Sequence, residues 1–476
     1  MRPQLHHLVL PPSSVSQMAA LSHVATFLMV LLALALPASA TLANDTDHCL
    51  LQTGTGRRTV HGDVETVHWV FVTDCSAYMF NQGNLLLASA HAVQQGGAFT
   101  WIMYGCEKED QLKALNMLAH PEAKAWFAPT MNLTDPETGE QFEHFQASNR
   151  PISVQAWFEA TAPREDAIAI IDPDMLFMRA VQFMKHPHNE PASLQTGPWQ
   201  TVPAAPKLGV GALYGQGCQS NLWSRTMMQQ VCGDDVKLCL KASHDVSACT
   251  KAYSSGPPWI MHKSDAQELL SKFPITTLRV HQVWPNLLSE QVAFGVAQMR
   301  SGIRASIDPF WFLSAETGDG QPWATVANLD WDPCHERRPA PPSASNPIFF
   351  HACSAYHLHG QEDTGYTLHK DHIHKDLLEC GAPLLRYPPQ DSLQRHMDKK
   401  DTAGFRGTWA VCTYTNLVNA YAATWKGKFC KAPNLEATFA YPAGSQGFLN
   451  ETSWLKRVFR KGGWTDIDYL DHVNKV

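Results

Sequence analysis

Across 476 residues no lysine- or arginine-rich patch stands out, and 37 basic against 44 acidic side chains leave a formal net charge of −7. The electrostatic footprint of a nucleic-acid binder is therefore missing. Charged residues amount to only 17% while hydrophobic ones reach 44%, which excludes a chain too polar to collapse. No internal repeat or coiled-coil heptad is present, and after the N-terminus no second long apolar run appears. The familiar local signatures are absent too: no Gly-x-Gly-x-x-Gly after a strand, no Walker A loop, no Gly-x-Ser-x-Gly elbow and no His-Glu-x-x-His. Dinucleotide oxidoreductases, P-loop nucleotidases, α/β-hydrolases and zincins thus lose their usual marks.

What is present begins at the N-terminus. Residues 24–36 are almost wholly apolar and Ala38-Ser39-Ala40 has the small-x-small form of a signal-peptidase site. Residues 1–40 are expected to be a cleaved signal peptide, with an uncleaved anchor as the alternative, since Ser22, His23, Thr26 and Pro37 interrupt the run. Residues 41–65 read as a lead-in. All twelve cysteines follow the candidate cleavage point, an even number suited to disulfides in an oxidising lumen. N-glycosylation sequons stand at Asn44, Asn132 and Asn450. Secretory-pathway residence in the ER or Golgi lumen is the expectation, with membrane contact only if the anchor survives.

From residue 67 the apolar pattern alternates between short β-branched and aromatic runs and helical spacing. Strands are predicted at 67–72, 99–104, 124–127, 167–171 and 348–350, and helices at 82–93, 107–118, 154–160, 264–273 and 289–299. Leu112, Leu115 and Leu118 mark the buried face expected of the second helix. This alternation predicts an α/β fold with a mainly parallel sheet flanked by helices. Between 197 and 256 the pattern dissolves into Gly, Pro and Cys. A histidine-rich stretch (His351, His357, His359, His369, His372, His374) fits no zinc spacing and reads as a solvated loop. An amphipathic segment follows at 409–424.

The sharpest chemical signal is Asp172-Pro173-Asp174, where the apolar strand 167–171 runs out. Ligands of open α/β sheets bind outside the carboxyl ends of strands. Two carboxylates there suit a hard cation, Mn²⁺ or Mg²⁺, that bridges a diphosphate to the protein. The alternative is a turn closing a strand, which Asp and Pro also favour.

Several blocks, in order, resemble the plant and algal peptidyl-serine α-galactosyltransferases and, less closely, the hydroxyproline O-arabinosyltransferases. They are VHWVFVTDCSAY (67–78), WIMYGC (101–106), NRPISVQAWF (149–158), AIIDPDMLF (169–177), GPPWIMHKSDAQELLSKF (256–273), SEQVAFGVAQMRSGI (289–303), IFFHACSAY (348–356) and AVCTYTNLVNAYAATWKGKFC (410–430). The resemblance implies a GT-A-like nucleotide-diphospho-sugar transferase domain at 66–360, with a Cys/His-rich C-terminal extension at 361–476 that stays family-like to about 430. It implies that Asp172, Asp174 and His351 bind the metal. Val72 and Thr73 would hold the nucleotide and Arg150 would reach the donor's phosphates or sugar. His262 and Glu290 would face the donor sugar or the acceptor hydroxyl. Structural alternatives stand beside each: Arg150 as a surface cation, His262 as a helix-entry residue, Glu290 as a charge on a helix N-terminus, His351 as a core histidine. Among the cysteines, Cys412–Cys430 is the first expected pair and Cys75–Cys106 the second, while those at 218–249 are expected to form disulfides rather than a zinc site.

The function so implied is transfer of galactose or arabinose from a UDP-sugar to Ser or hydroxyproline of secretory proteins, with retention of configuration. The rival readings are a transferase of the same fold with a glycan or small-molecule acceptor, and a secreted binding protein without turnover.

Overall fold

The computed structural model describes residues 67–436 with interruptions, the longer of them at 185–191, 196–200, 219–223, 359–366 and 394–401. The candidate signal segment, the lead-in and all three sequon asparagines lie outside the described residues. In chain order the elements are β1 (Val67–Asp74), α1 (Ala77–Ala92), β2 (Ala98–Tyr104), α2 (Lys108–Asn116), β3 (Ala123–Phe127), α3 (Asn149–Thr161), β4 (Ala167–Ile170) and β5 (Met175–Phe177). Then come β6 (Gln182–Met184), β7 (Ala192–Gln195), β8 (Thr201–Ala204), β9 (Leu208–Leu213), α4 (Arg225–Val231), α5 (Val236–Ser243), α6 (Val246–Tyr253), β10 (Ser255–His262), α7 (Lys263–Val283) and α8 (Ser289–Ser301). The remainder is β11 (Arg304–Asp308), β12 (Phe312–Leu313), α9 (Trp323–Ala327), α10 (Pro333–Glu336), β13 (Phe349–His351), β14 (Tyr356–His357), β15 (Thr367–Leu368) and α11 (Thr402–Phe429).

The central sheet runs β11-β9-β10-β4-β1-β2-β3. Pairings β1–β2, β2–β3, β1–β4 and β9–β11 are parallel, and β10 is antiparallel to both its neighbours. The expected mainly parallel sheet with helices on its faces is what forms. The period of two explains its layers: Trp69 and Phe71 enter one core and Val70 and Val72 the other. On the first face α1 and α11 cover the sheet, with Gly83 set directly over the Trp101 ring, 2.3 Å from where a Cβ would stand. On the second face α3, α7 and α8 pack together, with Trp259 stacked on Phe294 at 3.9 Å.

Several expectations are corrected. Leu112 and Leu115 are 54% and 52% exposed; α2 buries Ala114 instead, because the helix lies at the sheet's edge beside β3. The block 256–262, read only as a helix entry, contains the buried strand β10. Helix α7 continues through Pro274 to Val283, where surrounding tertiary packing outweighs the proline's lost donor. The 197–256 stretch forms β8, β9 and three short helices pinned by Cys218–Cys249 and Cys232–Cys239, disulfides as expected. Cys75–Cys106 forms as expected. Cys412–Cys430 does not: Cys412 bonds Cys334 and Cys430 bonds Cys380. Eighteen residues of α11 separate the two, about 27 Å of helix, beyond any disulfide's reach.

The histidine-rich stretch is folded in part: β14 and β15 pair, and Leu368 and Ile373 are buried. Nor does the core end at 360, since Phe405, Trp409, Tyr414, Leu417 and Trp425 of α11 fill it from outside α1. Among the described residues no helix is long and apolar enough to cross a membrane.

Candidate metal and sugar-nucleotide site

Strands β2 and β3 lie on one side of β1 and β4 on the other, so the strand order reverses between β1 and β4. At such a reversal the connections leaving the two carboxyl ends diverge and open a crevice. Val72 and Thr73 lie near the end of β1 there, and Asp172 follows β4 at the same level, Ile171 N donating to Val70 O. The Thr73 hydroxyl accepts from the Trp101 indole N–H at 2.7 Å.

The turn Asp172–Asp174 is closed by Met175 N donating to Asp172 O, after which β5 begins. Strand β13 runs antiparallel to β5 and places His351 opposite Met175, while Ala352 N donates to Asp174 O at 3.1 Å. This register carries the imidazole to the carboxylates: His351 Nε2 lies 3.3 Å from both Asp172 Oδ2 and Asp174 Oδ1. Ligand-capable atoms of all three residues fall within 4.8 Å of one another, and all three are buried. Tyr356 holds the strand end by donating its hydroxyl to His351 O at 2.9 Å. Two buried carboxylates and one imidazole form an oxygen-rich donor set that fits Mn²⁺ or Mg²⁺.

Two cations and the His351 imidazole face this negative charge. Arg150, near the start of α3, contacts Asp172 Oδ1 and lies 3.3 Å from Glu290 Oε1, with its guanidinium 5.7 Å from the Trp259 ring centre. Lys370, in the turn after β15, donates to Asp174 Oδ2. Burial would raise both aspartates, but Arg150 and His351 hold Asp172 below the usual carboxylate range, and Lys370 and His351 hold Asp174 well below it. Glu290, in the first turn of α8 and 4% exposed, behaves oppositely: burial pushes it up to about 7, with Arg150 pulling down and Asp172 pushing up.

The structure thus gathers Asp172, Asp174, His351, Arg150 and Glu290, with Val72 and Thr73 at the same end of the sheet. His262 is not with them. It pairs with Ala167 at the opposite end of β4, at least about 10 Å away at ~3.3 Å per residue, where its Nδ1 accepts from Ser264 N and caps α7. Lys370 was missed because it follows a stretch read as loop, and nothing in its local spacing links it to Asp174.

No family model matches the chain. It is 29% identical over 113 residues to a peptidyl serine alpha-galactosyltransferase of Chlamydomonas reinhardtii, 24% of this chain and 14% of that protein's length. The chain therefore spans a small part of the curated relative it matches. Among solved structures it is similar to the bifunctional glycosyltransferase WbbM (13% identity, TM-score 0.30, 61% of this chain and 46% of that one). It is also similar to the galactosyltransferase LgtC in complex with donor and acceptor sugar analogues (10% identity, TM-score 0.29, 60% and 87%).

Proposed function

We propose that this chain is a metal-dependent glycosyltransferase of GT-A-like type that moves a sugar, galactose or arabinose, from a UDP-sugar onto Ser or hydroxyproline of secretory proteins. The observation that carries this reading is the buried Asp172–Asp174–His351 cluster at the strand-order reversal, flanked by Arg150 and Glu290. The curated galactosyltransferase relative supports the choice of sugar transfer over other uses of such a crevice. When bound, Mn²⁺ or Mg²⁺ there supplies Lewis-acid stabilisation of the diphosphate leaving group.

The protein's own groups do the rest. The ends of β1 and β4, with Val72 and Thr73, receive the nucleotide. Arg150, fixed between Asp172 and Glu290, holds its guanidinium at the crevice for the donor's phosphates or sugar. Glu290 orients the acceptor hydroxyl. A retaining reaction, in which the departing diphosphate takes the acceptor's proton, asks no more of it than that. His262, at the far end of β4, has no part in this arrangement. The signal-like start, sequons and cysteine number support residence in the secretory lumen, which a mobility shift on enzymatic removal of N-glycans tests.

The decisive experiment is a donor and acceptor screen on purified protein with Mn²⁺, comparing wild type with Asp174→Asn. UDP-sugar hydrolysis or transfer that EDTA and Asp174→Asn both abolish, at near-normal melting temperature, is the expected result. Activity surviving both treatments rules out the metal-dependent mechanism. UDP-sugar binding with no turnover on any acceptor makes the chain a binding protein. Turnover on glycans but not peptides leaves the chemistry and replaces the acceptor.

A further inference from the structure

Lys370 is a buried-site cation that the mechanism above leaves unused. Its turn is fixed to the molecule: Tyr78 donates its hydroxyl to Asp371 Oδ1 at 3.0 Å, and Asn81 Nδ2 donates to His374 O and Lys375 O. Both anchors lie in the first turns of α1, a helix of 16 residues that starts directly beyond the crevice end of β1. Lys370 therefore stands between Asp174 and a helix N-terminus, where the exposed peptide N–H groups also favour an anion. Its side chain is 28% exposed against 7% for Asp174, so Lys370 reaches the buried carboxylate from the solvent side.

Charge balance says what it turns to. In the metal-free protein Arg150 and Lys370 face the two aspartates. A divalent cation between the aspartates and His351 would add two positive charges and take Asp174 from Lys370 as a partner. Arg150 is still shared by Asp172 and Glu290. Lys370, whose bonded partner is Asp174, is the group left with charge to give. A nucleotide diphosphate-sugar brings two negative charges, as many as the cation adds, and it gains another when the sugar departs.

Resting on the function proposed above, we infer that Lys370 is a diphosphate-binding residue: it neutralises Asp174 in the metal-free protein and shifts its ammonium to the nucleotide's phosphate oxygens when metal and donor are bound. It thereby makes the site take metal and nucleotide diphosphate as a matched pair.

The test uses the full-length protein from a eukaryotic secretory host, titrated calorimetrically with Mn²⁺ alone, then with UDP and with uridine in saturating Mn²⁺. Lys370→Met is expected to bind Mn²⁺ as tightly as wild type or more tightly, since a competing cation is gone. It should bind uridine normally and UDP about 10-fold or more weakly, the loss of a charge-assisted contact. Lys370→Arg should recover most of the UDP affinity. Should Lys370→Met lack a cooperative melting transition, Lys370→Gln, which keeps a donor to Asp174, replaces it with the same expectations. Equal UDP affinity in variant and wild type overturns the inference while leaving the enzyme class untouched. So does a parallel loss of Mn²⁺ or uridine binding, which makes Lys370 a structural support of the carboxylates. A wild-type protein that binds no UDP with Mn²⁺ overturns both readings together.

Discussion

Glu290 is 4% exposed, and burial raises its carboxyl to about 7 although Arg150 lies 3.3 Å away. The folded state therefore holds a proton on Glu290 that the unfolded chain releases near its usual pKa. Between about pH 4.5 and 7 the folded state binds more protons than the unfolded, so this group's contribution to stability falls as pH rises through that window. In the metal-free protein, Glu290→Gln is expected to remove that fall, flattening the melting temperature against pH over the same range. If Glu290 orients the acceptor, Glu290→Gln in the metal-loaded enzyme also loses roughly 10²-fold or more in turnover while UDP affinity stays near normal. Normal turnover with a lowered melting temperature returns Glu290 to the role of a helix N-terminal charge. Asp172, Asp174 and Glu290 were readable as acids at element ends. That two stay ionised and one is pushed toward neutral was not readable, because it depends on Arg150, Lys370 and His351 arriving from other parts of the chain.

At the scale of elements, α1 shows how tightly the site's framework is set. Phe80 and Leu85 through Ala90 are buried, since sheet and α11 enclose the helix, and Ser76 caps its N-terminus by accepting from Met79 N. Gly83 lets α1 approach β2 so closely that an added Cβ would meet three ring atoms of Trp101 within 2.6 Å. Trp101 cannot easily give way, as its indole N–H is bonded to Thr73 at the end of β1. Gly83→Ala is expected to destabilise by about 1–3 kcal/mol despite alanine's better helix propensity. Because any shift of Trp101 is passed to Thr73, UDP affinity should fall with it. Chemical denaturation and a UDP titration on the one variant check both, and an unchanged midpoint defeats the packing argument. The helix itself was legible from the spacing of Leu85, Leu86, Ala88 and Ala92. Its near-complete burial was not, because the layer above it comes from α11, more than three hundred residues later.

For the whole molecule, the sequence reading placed a boundary near 360 and an extension beyond it. The structure puts Trp409, Tyr414, Leu417 and Trp425 of that segment into the core that supports β1, β2 and β5, and ties it down through Cys334–Cys412. A chain ending at residue 360 is therefore expected not to fold cooperatively, for it strips the outer layer from α1 and exposes several buried aromatics at about 1.5–3 kcal/mol each. Expression of that truncation with circular dichroism and thermal melting checks this; a soluble, sharply melting 1–360 fragment would show the extension to be dispensable.

Local chemistry determined a good deal by itself. Short β-branched and aromatic runs alternating with helical spacing specify the strands at β1, β2, β3 and β4 and the mainly parallel sheet, since burial on both faces leaves that pattern no other use. Two carboxylates where a buried strand ends were legible as Asp172 and Asp174 for the same reason. The tertiary structure alone decided which distant groups meet them. The antiparallel register of β13 on β5 delivers His351, the packing of α3 delivers Arg150, and the turn beyond β15 delivers Lys370. It also sent His262 to the end of β4 opposite Asp172, through the reversed direction of β10, which no local spacing announces. Spacing along a chain records which face of an element is apolar; it carries no measure of which elements, far apart in sequence, come to lie side by side.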